Sequence, residues 1–332
     1  MALLLALLIT GMAQMVSAKG HCFDDWESAD GRGHTYAMDA LMLASQKTGL
    51  SLPLLIALAQ QESGMGKNIG SSGAGIADAH PSRDAPLFWI FAEQFGYDPK
   101  LACASRRPGY GWGGAIGVTQ VIPSTFAELN GYTVVRSKTQ FSARIRRGKL
   151  VTTANDVRIV QWFLNRRGYR LAEDGRMGKK TRSALADMQK RAGFSRTVCQ
   201  KEIGSIGGCT RAYIAVKGGL VKISYNPRRD KVRKFYGLSK PVDPWSFQGS
   251  MLTGAYYLKK LYDRKGRGNR ILFSLGAYYA GPGGSWKRGQ GYANSVIHRA
   301  KLIDGRVQKK LQEFRAFAIS KGFRPVYRLE RM

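Results

Sequence analysis

One glutamate in this sequence has a setting suited to acid–base chemistry. Residues 51–64 carry apolar side chains at helical spacing between Ser51, an expected N-cap, and Gly64, an expected C-cap. Glu62 follows Leu58 by four residues, so it projects from the apolar face near the end of the predicted helix. Burial there would raise the pKa of its carboxyl group, as a general acid working near neutral pH requires. A salt bridge to a neighbouring arginine would explain the same residue without catalysis.

Helices are expected to position this residue, and the chain is predicted to be mainly α-helical. Apolar periodicity predicts helices at residues 34–47, 87–95, 157–164, 181–193, 247–261, 271–280, 293–302 and 307–318. The stretch between the fourth and fifth of these carries eleven Lys or Arg and two acids from residue 195 to residue 240. Its short β-prone runs, 212–216 and 220–225, predict a hairpin or a long linker.

Residues 150–195 form a candidate module of two amphipathic helices around a tight turn. The turn falls at Asp174 and Gly175, where glycine can adopt a positive φ. Thr181 is the expected N-cap of the second helix. These residues are explained by structure alone, so any binding role for them needs a further argument.

The net charge and the N-terminal segment bear on the possible partners and the location of the protein. The net charge is +31, so the surface attracts polyanions, among which nucleic acid, anionic lipid and anionic wall polymers are all compatible. Lys and Arg are spread from residue 47 to residue 331 instead of forming one stripe, and we therefore expect no nucleic-acid partner. Residues 1–18 combine an apolar run with small residues before Lys19, which predicts a secretory signal.

The four cysteines form an even set, which favours disulfides over metal binding in an exported chain. Cys199 and Cys209 enclose a short loop and are the expected pair, which leaves Cys22 for Cys103. Free thiols are the alternative. The histidines show no ligand or nucleophile pattern, and we predict neither a metal nor a cofactor.

Four segments, in order, resemble the soluble-type lytic transglycosylase family. ALAQQESG at residues 57–64 looks like the segment that carries the family's sole catalytic acid and base, and GGAIGVTQVIPSTF at 113–126 is similar to its GAxGxxQxxPST segment. AYYAGPG at 277–283 resembles AYNAGPG, with Tyr279 in place of the asparagine, and YANSV at 292–296 resembles the closing YxxxV. The segments WGGA at 112–115 and DPW at 243–245 look closer to the membrane-bound B-type enzymes.

The candidate module resembles a three-helix peptidoglycan-binding domain. The two resemblances together imply a lysozyme-like, goose-type catalytic domain that the module interrupts. The expected organisation is a signal peptide (1–18), a first catalytic part (19–145), the peptidoglycan-binding module (150–195), a basic glycine-rich linker or hairpin (196–240), a second catalytic part (241–305) and a C-terminal amphipathic helix (306–332).

The resemblance implies cleavage of the bond between N-acetylmuramic acid and N-acetylglucosamine in peptidoglycan, with a 1,6-anhydro product. Glu62 would be catalytic, and substrate would contact Ser63, Gln120, Tyr278, Tyr279 and Tyr292. The Gln120 amide could instead hold Glu62, and the glycines at 113, 114 and 117 could let backbone approach a sugar. A glycine-rich turn and core aromatics, including Tyr256 and Tyr257, would explain the same residues structurally. Asp174, Gly175 and Thr181 would mark the binding module.

The expected partners are peptidoglycan glycan strands and anionic wall polymers, and the protein is expected to be a monomer in the periplasm or at the cell wall. A muramidase is one alternative, and it would need a second carboxylate, for which Asp78 and Asp84 are the near candidates. A non-catalytic wall-binding or secretion-apparatus protein is another. A nucleic-acid binder is suggested by the charge alone.

Overall fold

The structure is a computed structural model that describes residues 33–65, 83–97, 99, 114–142, 145–146, 149–264 and 270–320. The predicted signal peptide, Cys22, Cys103, Asp78 and Gly113 lie outside these residues. The chain divides into two compact units, one made of Met1–Lys67 with Gly254–Met332 and the other of Asn68–Thr253. The described residues are mainly helical, as the sequence predicts.

The helices are numbered along the chain. They are α1 (Gly33–Thr48), α2 (Leu52–Ser63), α3 (Asp84–Gln94), α4 (Pro123–Leu129), α5 (Ala154–Asn165), α6 (Lys179–Arg191), α7 (Gly208–Lys217), α8 (Lys231–Tyr236), α9 (Phe247–Arg264), α10 (Arg270–Ala280) and α11 (Trp286–Ser320). The strands are β1 (Asn130–Arg136), β2 (Ile145–Arg146), β3 (Lys149–Leu150) and β4 (Val221–Asp230). Short 3₁₀ turns lie at Phe194–Arg196 and Val198–Glu202.

Helix α2 ends as the sequence predicts. Gly64 adopts the left-handed conformation, and its N–H donates to the Gln60 carbonyl at 2.9 Å, while the Met65 N–H donates to the Ala59 carbonyl at 3.1 Å. At the other end Ser51 occupies the predicted N-cap position with an extended backbone, but its side chain makes no capping hydrogen bond. Pro53 lies in the first turn of the helix, where its fixed φ is favourable.

Helix α11 packs against both α10 and α2 in the first unit. Two glycines let α10 and α11 approach closely: a Cβ on Gly289 would lie 2.4 Å from the carbonyl oxygen of Gly276. A Cβ on Gly276 would in turn lie 2.7 Å from the Trp286 ring. Larger residues at these two positions would push the helices apart.

The predicted break between residues 302 and 307 is wrong, because α11 runs without interruption for 35 residues. A glycine inside a helix lowers helix stability by only about 1 kcal/mol relative to alanine. The helix therefore continues through Gly305. Ile303 is buried and continues the apolar face defined by Ala293 and Val296.

The second unit holds helices α3 to α8, the four strands and the start of α9, and it corrects the prediction for residues 196–240. Residues 212–216 lie inside α7, where Arg211, Ile214 and Ala215 are buried at the i, i+3 and i+4 spacing of a helix. The strand predicted at 220–225 is present as part of β4, but it pairs antiparallel with the distant β1 and not with a local partner. The stretch is therefore folded and is not a linker.

The Cys199–Cys209 disulfide is present, as predicted, and joins the second 3₁₀ turn to the start of α7. Beside it, α3 packs against α7 through an aromatic cluster of the buried Trp89 and Phe194 and the half-buried Tyr213. Among the described residues, no helix has the length and apolar character needed to cross a membrane.

Candidate active site

The carboxyl group of Glu62 lies at the C-terminal end of α2, next to α11. Its Oε1 accepts a hydrogen bond from the Tyr292 hydroxyl. The side chain keeps some exposure, but enough protein surrounds the carboxyl group that burial raises its pKa from 4.5 to about 7, against the opposing effect of the Tyr292 hydrogen bond. The group can therefore hold a proton near neutral pH and donate it to a bound substrate.

Tyr292 and its neighbours form the wall beside this acid. Burial, and then the charge of Glu62, raise the pKa of Tyr292 well above its ordinary value, so the hydroxyl remains a donor. The Tyr279 ring stacks on the Tyr292 ring with centroids 4.9 Å apart and planes 16° apart. Tyr279 is 43% exposed, whereas Tyr278 is nearly buried and packs on Tyr257. The Tyr279 ring is thus the accessible surface on which a sugar could stack.

Ser63 is placed differently from the other predicted substrate contacts. Its side chain is buried, and its hydroxyl donates to the Ala59 carbonyl at 3.2 Å within α2. The observed contact supports the end of the helix, and its role in substrate binding stays a prediction.

Sequence reasoning missed a polar group beside Glu62. The side-chain oxygen of Gln61 accepts from the Ser295 hydroxyl at 2.8 Å and from the Arg299 Nε at 2.9 Å. Ser295 and Arg299 follow Tyr292 by three and seven residues, a spacing that places all three on one face of α11. That spacing was readable in the sequence, but its partner on α2 was not.

In the second unit, Gln120 serves a tight turn. It has a positive φ of 50°, and its amide nitrogen donates to the Gly117 carbonyl at 2.8 Å. A Cβ on Gly117 would lie 2.7 Å from the Pro244 carbonyl and closer still to the side chain of Ser250. The space beside Gly117 is therefore filled by Ser250 and Pro244 and not open to a sugar. The predicted contacts of Gln120 with an acetamido group or with Glu62 stay predictions.

Asp84, the described candidate for a second carboxylate, is fully buried at the start of α3. One oxygen accepts from the Ser124 N–H at 2.9 Å, and the other accepts from Arg83 at 3.0 Å. Because the carboxyl group is fully buried and both of its oxygens accept from protein donors, its position fits a structural anchor better than a catalytic base.

The predicted binding module is organised by a buried glutamine. The Gln161 amide nitrogen donates to Asp174 Oδ1 at 2.8 Å, and its oxygen accepts from the Gly175 N–H at 2.9 Å. Gly175 has a φ of 76°, as the predicted turn requires. A backbone hydrogen bond from Arg176, and then the one from Gln161, lower the pKa of Asp174.

Thr181 is not the N-cap that the sequence predicts. Helix α6 begins at Lys179 with Gly178 in the cap position, so Thr181 lies in the first turn. Its side chain is 5% exposed and its hydroxyl lies 3.4 Å from the Gln161 amide nitrogen. The threonine is thus used to anchor the turn from inside the module.

The module is tied to α7 by a buried ion pair. Asp156 closes a capping box with Thr153 at the start of α5 and accepts from the Arg211 guanidinium at 3.1 Å. Arg211 also donates to the Ser142 carbonyl at 2.8 Å. Its side chain is 3% exposed and that of Asp156 is 0% exposed.

A comparison with protein families identifies this part of the chain. The model of a family described as "Putative peptidoglycan binding domain" matches residues 153–197. This match supports an association of the chain with peptidoglycan and a location related to the cell wall. No curated protein and no solved structure matches the chain. Within the part of the chain that the structure describes, no group of three or more His, Cys, Asp or Glu is placed to hold a metal ion.

Proposed function

We propose that the protein is a lytic transglycosylase that cleaves the β-1,4 bond between N-acetylmuramic acid and N-acetylglucosamine in peptidoglycan. The observation that carries the proposal is the carboxyl group of Glu62. Its pKa is about 7, and it accepts a hydrogen bond from the Tyr292 hydroxyl. The match at residues 153–197 supports peptidoglycan as the polymer. The four family-like segments support a lysozyme-like catalytic fold around this acid.

Glu62 would act first as the acid. It protonates the oxygen that links the two sugars, while the acetamido group of the substrate stabilises the anomeric carbon as the bond breaks. A single carboxyl group suffices because the acetamido group of the substrate replaces the second carboxylate that most glycosidases use. The ionised Glu62 then removes the proton from the 6-hydroxyl of the muramoyl sugar, which closes the 1,6-anhydro ring without water.

The test is mass spectrometry of the soluble fragments released from purified peptidoglycan. The wild type should release 1,6-anhydro fragments, and Glu62→Gln should release them roughly a thousand-fold more slowly, since acid–base catalysis contributes about 10²–10⁴ in rate. Glu93→Gln is a matched control, because Glu93 is an exposed residue of α3 that pairs with Lys217 at 2.9 Å. It should leave the rate unchanged.

The other outcomes separate the alternatives. Fragments with reducing ends, which carry the oxygen of water, would identify a muramidase. No fragments from the wild type, with the protein still sedimenting with the sacculus, would identify a peptidoglycan-binding protein without catalysis. Either result would overturn the proposed activity.

A further inference from the structure

A polar cluster beside Glu62 is not used in the proposed cleavage. Gln61, the neighbour of Glu62 on α2, accepts hydrogen bonds from Ser295 and Arg299 on α11. Tyr292, which bonds Glu62, lies on the same face of α11 as these two residues. The acid and the cluster are therefore adjacent along one pair of helices.

The Arg299 guanidinium is held in place and remains accessible. Its Nε donates to Gln61 at 2.9 Å, which fixes one edge of the group, while the side chain as a whole is exposed. Among the residues that the structure describes, no acidic side chain forms a salt bridge with Arg299. The two Nη groups at the outer edge form a fork whose geometry matches a carboxylate.

We propose that Arg299, oriented by Gln61, is a binding subsite for a carboxylate of the substrate. The inference rests on the proposed function, because it assumes a glycan bound at Glu62. Seven helical residues separate Tyr292 from Arg299, which corresponds to a rise of about 10 Å between their backbone positions on α11. Two groups of peptidoglycan offer this chemistry: the free lactyl carboxylate of a muramic acid without its peptide, and the carboxylates of a stem peptide.

The charge of Arg299 is compatible with the acid beside it. The pKa of Glu62 is governed by burial and by the Tyr292 hydrogen bond, so the acid keeps its proton near neutral pH with this cation in place. Arg299 can therefore bind an anion without causing Glu62 to lose its proton. It would favour substrates that carry a carboxylate over neutral amino-sugar polymers.

The test measures binding by calorimetry to the full chain carrying Glu62→Gln, which prevents turnover. Three tetrasaccharide probes separate the sources: an N-acetylglucosamine oligomer without carboxylates, a muramoyl oligomer with free lactyl groups, and the same oligomer with its peptides. Adding Arg299→Gln should weaken binding of one of the two acidic probes about ten- to a hundred-fold, as expected for a hydrogen-bonded charged group. Binding of the neutral oligomer should be unchanged, and Arg299→Lys should recover part of the loss.

Arg306→Gln is the matched control, because Arg306 is an exposed arginine of the same helix and its loss changes the net charge equally. It should leave all three affinities unchanged. Equal losses for the neutral and acidic probes with Arg299→Gln would show a merely structural role and overturn the inference. No loss at all would overturn it while leaving the cleavage assay with Glu62 intact. Failure of all three probes to bind would overturn the glycan site as well.

Discussion

Two acids surrounded by protein, one in each unit, have opposite sets of partners. Asp156 in the second unit accepts from an arginine and from the backbone N–H groups of Ser142 and Thr153. Glu62 in the first unit accepts from the Tyr292 hydroxyl, and no cation pairs with it among the described residues. A buried carboxylate needs paired charges and donors to stay ionised. Asp156 is therefore equipped to hold structure, whereas Glu62 is equipped to exchange a proton.

Two buried glutamines of the binding module, like Asp156, make hydrogen bonds that support the structure. Gln161 satisfies the turn at Asp174, and Gln189 donates to three acceptors, including the Glu202 carbonyl at 2.9 Å. The contacts of Gln161 lie within the module, whereas the acceptors of Gln189 belong to residues that follow the module in the chain. Recognition of peptidoglycan by the module must come from its exposed surface, since these interior groups are occupied.

The largest effect is expected when the Asp156–Arg211 pair is broken. Asp156→Ala should lower the free energy of unfolding by about 3–5 kcal/mol, because it leaves a buried guanidinium without its counter-charge. Arg191→Ala provides the contrast: its pair with Asp187 is exposed, and surface pairs contribute about 1 kcal/mol or less. Chemical denaturation of both variants measures the difference. Equal losses would show that burial does not distinguish the two pairs.

The next effect is the pH dependence of stability that Glu62 causes. Between its ordinary pKa of 4.5 and its native pKa of about 7, the native protein holds a proton that the unfolded chain has released. The free energy of unfolding should therefore fall as the pH rises through this window, by about 3 kcal/mol in total, and should stay lowered above it. Below pH 4.5 both states are protonated and the contribution vanishes.

Glu62→Gln isolates this contribution, because glutamine does not titrate. Denaturation curves of the wild type and the variant, compared from pH 4 to pH 8, should diverge in favour of the variant as the pH rises. Parallel curves would mean that Glu62 is not a neutral acid in the native state, and the contrast with Asp156 would disappear.

Sequence patterns predicted those features that are set by residues close together in the chain. The Gly64 cap and the Cys199–Cys209 disulfide each depend on residues no more than ten positions apart, and the Asp174–Gly175 turn is signalled by its own two residues. Glu62 was recognised as the candidate acid because its helical face was readable.

Features that depend on distant partners were missed. The N-cap was predicted at Thr181, but Gly178 is an equally good cap residue and occupies that position. The threonine hydroxyl instead accepts a hydrogen bond from the buried Gln161. Helix α7 was mistaken for β structure because its flanking glycines and β-branched residues hide a buried face. Nothing local to Gln61 signals Ser295 or Arg299, which lie on a helix more than two hundred residues later.

A smaller effect is expected from the hydroxyl group that bonds Glu62. Tyr292→Phe removes a donor that favours the ionised carboxylate, so the pKa of Glu62 should rise further. The alkaline limb of the pH–rate profile, which reports loss of the protonated acid above about pH 7, should move to higher pH. The rate should also fall about ten-fold, because the carboxyl group loses the contact that orients it.

Tyr279→Phe is the control for this experiment, since it keeps the stacked ring beside Tyr292 and changes no donor to Glu62. It should leave the alkaline limb where it is in the wild type. A limb that moves equally in both variants would assign the shift to the ring pair and not to the hydroxyl group.

The smallest effect separates stacking from acid–base chemistry. Tyr279→Ala removes the exposed ring that covers Tyr292, and it should weaken saccharide binding about five-fold, in line with the roughly 1 kcal/mol that an aromatic pair contributes. Tyr279→Phe and Tyr279→Trp should retain binding, because they keep an aromatic face. The loss should appear in the KM of cleavage with the alkaline limb unmoved, since the ring holds the sugar and not the proton. A fall in kcat with a shifted limb would instead place Tyr279 in the support of Glu62.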